Sequence, residues 1–212
     1  MATTILDFLT TKSTPTTGRG AERATSILLE ARDIVIAEGF AALSMRGLAS
    51  RVGITLGNLQ HYYASKEQLL SALVLFVMDD LQSKMGAALQ KEATSTPRKR
   101  LENSVRVLLA EVQDPRTAAV FMEIWTLAGR TEFAGQVIAK VHARELKAMS
   151  QLLKDLPGAV VPSGVDTRAA MMVLVIEGLA VQLYRTGTSE VSRQALVAAA
   201  QRSIVRIAYE GA

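Results

Sequence analysis

The chain has 212 residues, 49% of them apolar, enough to bury the core of one large domain or two modest ones. It contains no cysteine, which excludes a disulfide framework, a thiolate metal site and a cysteine nucleophile, and fits a reducing compartment. The formal net charge of +4 is mild, but residues 41–66 hold Arg46, Arg51, Lys66 and His61 with no acidic residue, a stretch that would not repel phosphates.

The first residues, "MATTILDFLTTKSTPTTGRG", lack the basic start and long apolar run of a secretory signal, and their Thr, Ser, Pro and Gly content reads as a loose arm over 1–18. Beyond the arm no segment alternates with period two. Apolar residues instead recur at three and four, with Pro and Gly between the runs, so the expected class is all-α with about nine helices.

The first helix is expected over 19–38, with Ile27, Leu28, Ala31, Ile34 and Val35 as its inward stripe. Gly39 is its stop and Phe40 packs back as the chain turns. Ser44 is placed to cap a second helix, "MRGLASRV", whose Met45, Leu48, Ala49 and Val52 share a face and which Gly53 ends. Thr55 caps a short third helix, and Ser65 with Gln68 has the spacing of a capping box at the start of a long fourth.

The third helix, within "GITLGNLQHYYASKEQLL", is too polar for a core element. Leu59 and Tyr63 share the inward face, while Leu56, Gly57, Gln60 and His61 lie opposite, flanked by Thr55 and Asn58. A helix entering the DNA major groove needs such a surface, and Gly57 supplies clearance for a close backbone. Asn58 or Gln60 can pair with adenine, and Leu56 or the Thr55 methyl can rest on a thymine methyl. Arg46, His61, Tyr62 and Lys66 suit phosphate oxygens, which position without specifying.

Later helices are expected over 97–113, 115–129, 131–156, 166–186 and 189–209, with Pro157, Gly158, Pro162 and Gly164 in the clearest long loop. The run "PRKR" at 97–100 reads as a solvated helix start without function. The longest apolar segment, "AAMMVLVIEGLAVQLY", is interrupted by Glu177 and Gly178 and falls short of a bilayer span, so a soluble, cytoplasmic protein is expected. The last helix is apolar on more than one face and requires a second buried surface. Together with the helix over 166–186 it is expected to form a four-helix dimer interface through Ile176, Ala180, Tyr184, Val197, Ala200, Ile204 and Ile207.

Two histidines, His61 and His142, are too few and too separated for a zinc site, and no Glu-x-x-His pair, phosphate-binding glycine loop or nucleophile elbow is present. No catalytic residue, metal or cofactor is expected.

The run "ARDIVIAEGFAALSMRGLASRVGITLGNLQHYYASKEQLL" resembles the N-terminal domain of the tetracycline-repressor (TetR) family of transcriptional regulators. The resemblance is carried by Gly39-Phe40, the Ser44-capped helix with Leu48-Ala49, Val52-Gly53-Ile54, Gly57 and Leu59, the ending Tyr62-Tyr63, and Ser65-Lys66-Glu67 before Leu69-Leu70. Gln60 stands where the family most often has an aromatic residue, and Tyr63 where it has Phe. The segment "AVFMEIWTLAGRTEF" is similar to C-terminal domains of the betaine-regulator type within that family.

The resemblance implies a helix-turn-helix DNA-binding domain over 19–65 and a ligand-binding and dimerisation domain over 66–212. It implies a homodimer that binds a pseudo-palindromic operator, most often as a repressor, and is released by a small molecule. The implied ligand cavity has Met78, Leu81, Met85, Leu108, Val112, Phe121, Met122, Trp125, Val141, His142 and Met172 as candidates. Other readings are an activator of the same fold, or a helical ligand-binding or scaffold protein that does not grip an operator.

Overall fold

The structure is a computed structural model that describes residues 18–91, 95–154, 164–184 and 192–210. The expected N-terminal arm to residue 17, most of the loop after residue 154 and the helix ends expected at 156, 186 and 189 lie outside the described residues. Among the described residues there are nine helices: α1 (Arg19–Ala42), α2 (Met45–Arg51), α3 (Leu56–Tyr62), α4 (Lys66–Lys91), α5 (Pro97–Val112), α6 (Pro115–Ala128), α7 (Glu132–Lys154), α8 (Val165–Tyr184) and α9 (Arg193–Glu210). The all-α expectation holds for them.

By packing, the chain divides into two compact units. One takes the described residues up to Met78 together with Ala119–Lys140, and the other takes Asp79–Ala118 with Val141 onward. This grouping does not follow the expected division at residue 65, because α4, α6 and α7 each run from one unit into the other.

In the first unit α1 buries Ala24, Ile27, Leu28, Ala31, Ile34 and Val35, the stripe that three-and-four spacing requires. The helix is broken at Gly39, with φ 80° and ψ 165°, a conformation essentially reserved to glycine, and one further turn leads to Leu43. The Ser44 side chain accepts from the Gly47 N–H at 3.1 Å, starting α2, which packs on α1 and buries Leu48 and Ala49. Gly53, at φ 68°, turns the chain, and Thr55 Oγ1 accepts from the Asn58 N–H at 3.1 Å to start α3. At the head of α4 Ser65 Oγ accepts from the Gln68 N–H, but Gln68 Oε1 reaches back to the N–H of Ala64 rather than of Ser65, one residue earlier than a capping box does. From α4 this unit buries Leu69, Leu70, Leu73, Val74 and Val77, and from α6 and α7 it buries Val120, Ile124, Ala134 and Val137.

The second unit is built on α9, which packs against α8 and α5. Its core joins Leu101, Val105 and Leu109 of α5, Met149 and Leu153 of α7, Ala169, Met172 and Val173 of α8, and Ala200, Ile204, Val205 and Ile207 of α9. Of the residues expected at a dimer face, Ala200, Ile204 and Ile207 belong to this core. Ile204 is fully buried in its own chain. Ile176 and Val197 are partly buried against the same core, and Ala180 is half-buried. Tyr184 is exposed, with Met171, Leu174 and Val181 on the same side of α8.

By length and composition α8 could cross a membrane, with a mean hydropathy of 1.3 over its apolar window. The expected interruption at Glu177 and Gly178 does not shorten it, since the helix runs through both residues. In the fold α8 is instead a wall of the second unit, packed on α9 and α5.

Candidate nucleic-acid interface

The α2–turn–α3 element is held from beneath. Leu59 is fully buried, and Tyr63 donates its hydroxyl proton to the Ala24 carbonyl at 3.3 Å, fastening the end of α3 to α1. With that face fixed, the helix presents its other side outward. Thr55, Gly57, Asn58, Gln60 and His61 are exposed, and Leu56 and Tyr62 are half-buried. A Cβ added at Gly57 would meet no atom of the chain within 4 Å, so internal packing does not account for a glycine there. The space above it is open to a partner's backbone.

Around this surface the basic residues differ in freedom. Arg46 is exposed on α2. Arg51 is held by Glu38 at 2.6 Å and by Glu30 at 3.7 Å. Lys66, expected to reach for phosphate, has its ammonium 4.1 Å from the centre of the Phe40 ring. Burial there lowers its pKa from the ordinary lysine value, partly offset by Glu67. His61 and Tyr62 meet edge to face, with ring centroids 5.9 Å apart. The structure thus brings Arg46, Thr55, Leu56, Gly57, Asn58, Gln60, His61, Tyr62 and Lys66 together in the first unit.

The candidate ligand residues are distributed over both units. Met78, Phe121, Met122 and Trp125 belong to the first, and Leu81, Leu108, Val112, Val141, His142 and Met172 to the second. The side chain of Met85 lies outside the described residues. Met172 has no solvent exposure and sits in the core cluster. His142 differs from the rest, for its Nδ1 lies 3.3 Å from Glu177 Oε1.

Three carboxylates with a tertiary role are not among the expected site residues. Glu123 of α6 accepts from the Phe40 N–H, and Glu145 of α7 lies with Glu177 of α8 beside His142. Glu123 was visible as the one charge in "AVFMEIWTLA", and Glu177 as the charge inside the longest apolar segment.

A short capped helix anchored by Leu59 and Tyr63, with a polar, glycine-cleared outer side, defines a helix-turn-helix transcriptional regulator. Residues 27–73 match the family model described as bacterial regulatory proteins of the tetR family, and residues 97–208 match the BetI-type transcriptional repressor C-terminal model. The chain belongs to the TetR family and carries a BetI-type C-terminal region. It is 28% identical over 166 residues to the HTH-type transcriptional regulator BetI of Rhizobium meliloti (strain 1021), covering 78% of this chain and 79% of that protein. A candidate TetR-family regulator from Rhodococcus sp. superposes with a TM-score of 0.74 at 20% identity, over 89% of this chain and 99% of its own. A candidate regulator from Saccharomonospora viridis, solved in complex with choline, superposes with a TM-score of 0.64 at 16% identity, over 88% of this chain and 95% of its own. At these identities the two solved structures show the fold alone. The chain is a DNA-binding regulator and not an enzyme.

Proposed function

We propose that the protein is a homodimeric repressor that places α3 of each copy in successive major grooves of a pseudo-palindromic operator and is released by a small molecule. The observation that carries this reading is Gly57, a glycine that nothing within the chain requires, between the exposed Thr55, Asn58 and Gln60. Asn58 and Gln60 read adenine edges, Leu56 and the Thr55 methyl meet thymine methyls, and Arg46, His61, Tyr62 and Lys66 contact phosphates. Lys66 does so while seated on Phe40, so its contact is short-ranged and positional.

The exposed apolar side of α8, with Met171, Leu174, Val181 and Tyr184, supports a second copy as its cover, and Ile176, Ala180, Val197, Ala200, Ile204 and Ile207 are the further candidates for that interface. A protein of this family works where the chromosome is, in the cytoplasm. The functional division is between a DNA-binding part over 19–65 and an effector-binding and dimerising part over 66–212. The candidate effector residues are Met78, Leu81, Met85, Leu108, Val112, Phe121, Met122, Trp125, Val141, His142 and Met172, and choline, held by the Saccharomonospora neighbour, is the first compound to test.

Selection of a randomised duplex pool by the purified protein, with the mass of the complex recorded in parallel, tests the reading. Enrichment of a two-fold symmetric motif by a dimer is the expected result. Enrichment of nothing by folded protein at low salt would overturn it and favour the scaffold alternative.

A further inference from the structure

Helical spacing puts His142 and Glu145, three residues apart on α7, on one face. Glu177 reaches the same place from α8, so that one ligand atom of each of the three side chains lies within 4.8 Å of the others. The DNA-contacting surface does not use this group, and of its members only His142 is also a candidate effector residue.

Its composition is unusual for a purely structural contact. Glu145 Oε2 is buried and has no hydrogen-bond partner, and a carboxylate oxygen left so is costly. Two acidic groups also share the space. Burial first, and then the charge and hydrogen bond of Glu177, push the Glu145 carboxyl up from 4.5 to about 8. A doubly charged cation would neutralise both carboxylates and occupy the orphaned oxygen.

We infer that His142, Glu145 and Glu177 form a binding site for a divalent transition-metal ion of the zinc type. The imidazole sets the class, because calcium and magnesium take oxygen donors while zinc and its neighbours accept nitrogen with carboxylate. Metal–donor bonds of about 2.0–2.2 Å in a tetrahedral site place donors roughly 3.3 Å apart. His142 Nδ1 and Glu177 Oε1 already stand 3.3 Å apart. Glu145 has to close the remaining distance by rotating its side chain. The His142 side chain is 42% exposed, which gives the ion an entry path and leaves a fourth position for water.

The inference stands apart from the operator reading, since its readouts are taken on free protein. Chelator-treated full-length protein is titrated with zinc chloride by calorimetry and with cobalt chloride by visible absorbance, and its melting is recorded with and without zinc. The expected result is one ion per chain, an intense cobalt band of tetrahedral type and a raised Tm. Glu145→Gln and His142→Ala each lower the affinity by at least about tenfold. Apo melting of Glu145→Gln at or above wild type shows that the loss is not misfolding, and His142→Ala, at a half-exposed position, is the second check. Folded wild type that binds no ion, or affinity unchanged in both variants, would overturn the inference.

Discussion

The carboxylate of Glu123 accepts a hydrogen bond from the backbone N–H of Phe40 at 3.1 Å, across 83 residues of sequence. Gly39, in its glycine-only conformation, breaks α1 and leaves this N–H without a helical partner, and Phe40 then carries the Lys66 ammonium on its ring. One acidic side chain of α6 therefore completes the break that positions Phe40 beneath the start of α4. Glu123→Ala leaves a half-buried N–H unpaired and should lower stability by about 1–3 kcal/mol in denaturant unfolding. Glu123→Gln, which keeps an acceptor oxygen, should lose less, and equal stability of all three proteins would remove the role assigned to the carboxylate.

Gly57→Ala separates folding from DNA binding. The new methyl meets no atom of the chain, and alanine favours a helix over glycine by roughly 0.5–1 kcal/mol, so Tm should rise or hold. Affinity for the selected operator should fall, measured by fluorescence anisotropy, because the methyl occupies the clearance used by DNA. A variant that binds as wild type would show that α3 does not approach DNA through this side.

Gln60→Ala should change preference at one or two operator positions, by about 1–3 kcal/mol of discrimination, in a repeat of the pool selection. Lys66→Ala should weaken all sequences alike and reduce the slope of log affinity against log salt by about one. Its seat on Phe40 adds a stability cost, which thermal melting separates from the binding loss.

Burial, with a smaller effect from Tyr62, holds the Tyr63 phenol well above its ordinary value of 10.0. The folded state thus favours the neutral phenol, and this stabilisation is fully present below the unfolded pKa near 10 and is lost as pH rises beyond it. Wild type should lose stability above pH 10 more steeply than Tyr63→Phe. Near neutral pH the order reverses, since the variant lacks the hydrogen bond to Ala24, worth about 1 kcal/mol. Stability curves that stay parallel through alkaline pH would contradict the burial argument.

Leu174 is the most exposed of the large apolar residues on α8, at 57%. Leu174→Lys should leave the fold intact by circular dichroism and shift sedimentation from dimer to monomer. Loss of helicity would instead place Leu174 in the core of its own chain.

Much of the fold was legible because its signals are local. The Ser44 and Thr55 caps, the break at Gly39 and the buried stripe of α1 all follow from spacing and backbone preference within a few residues. The polar side of α3 was equally legible, because Gly57, Asn58 and Gln60 make no sense as packing residues. The second surface of α9 was not. A helix that is apolar on several faces gives no sign of which face its own chain covers, and here Ile204 lies in the core that α9 forms with α5 and α8.

The amino-acid sequence by itself determined the helical class, the docking element and its outward chemistry, since these depend on neighbours three and four residues away. Tertiary structure alone decided that Lys66 rests on Phe40, that Glu123 closes the Gly39 break, and that His142, Glu145 and Glu177 come within reach of one another. Each of these joins side chains from different helices, and helix periodicity fixes which face a residue occupies without fixing what that face meets.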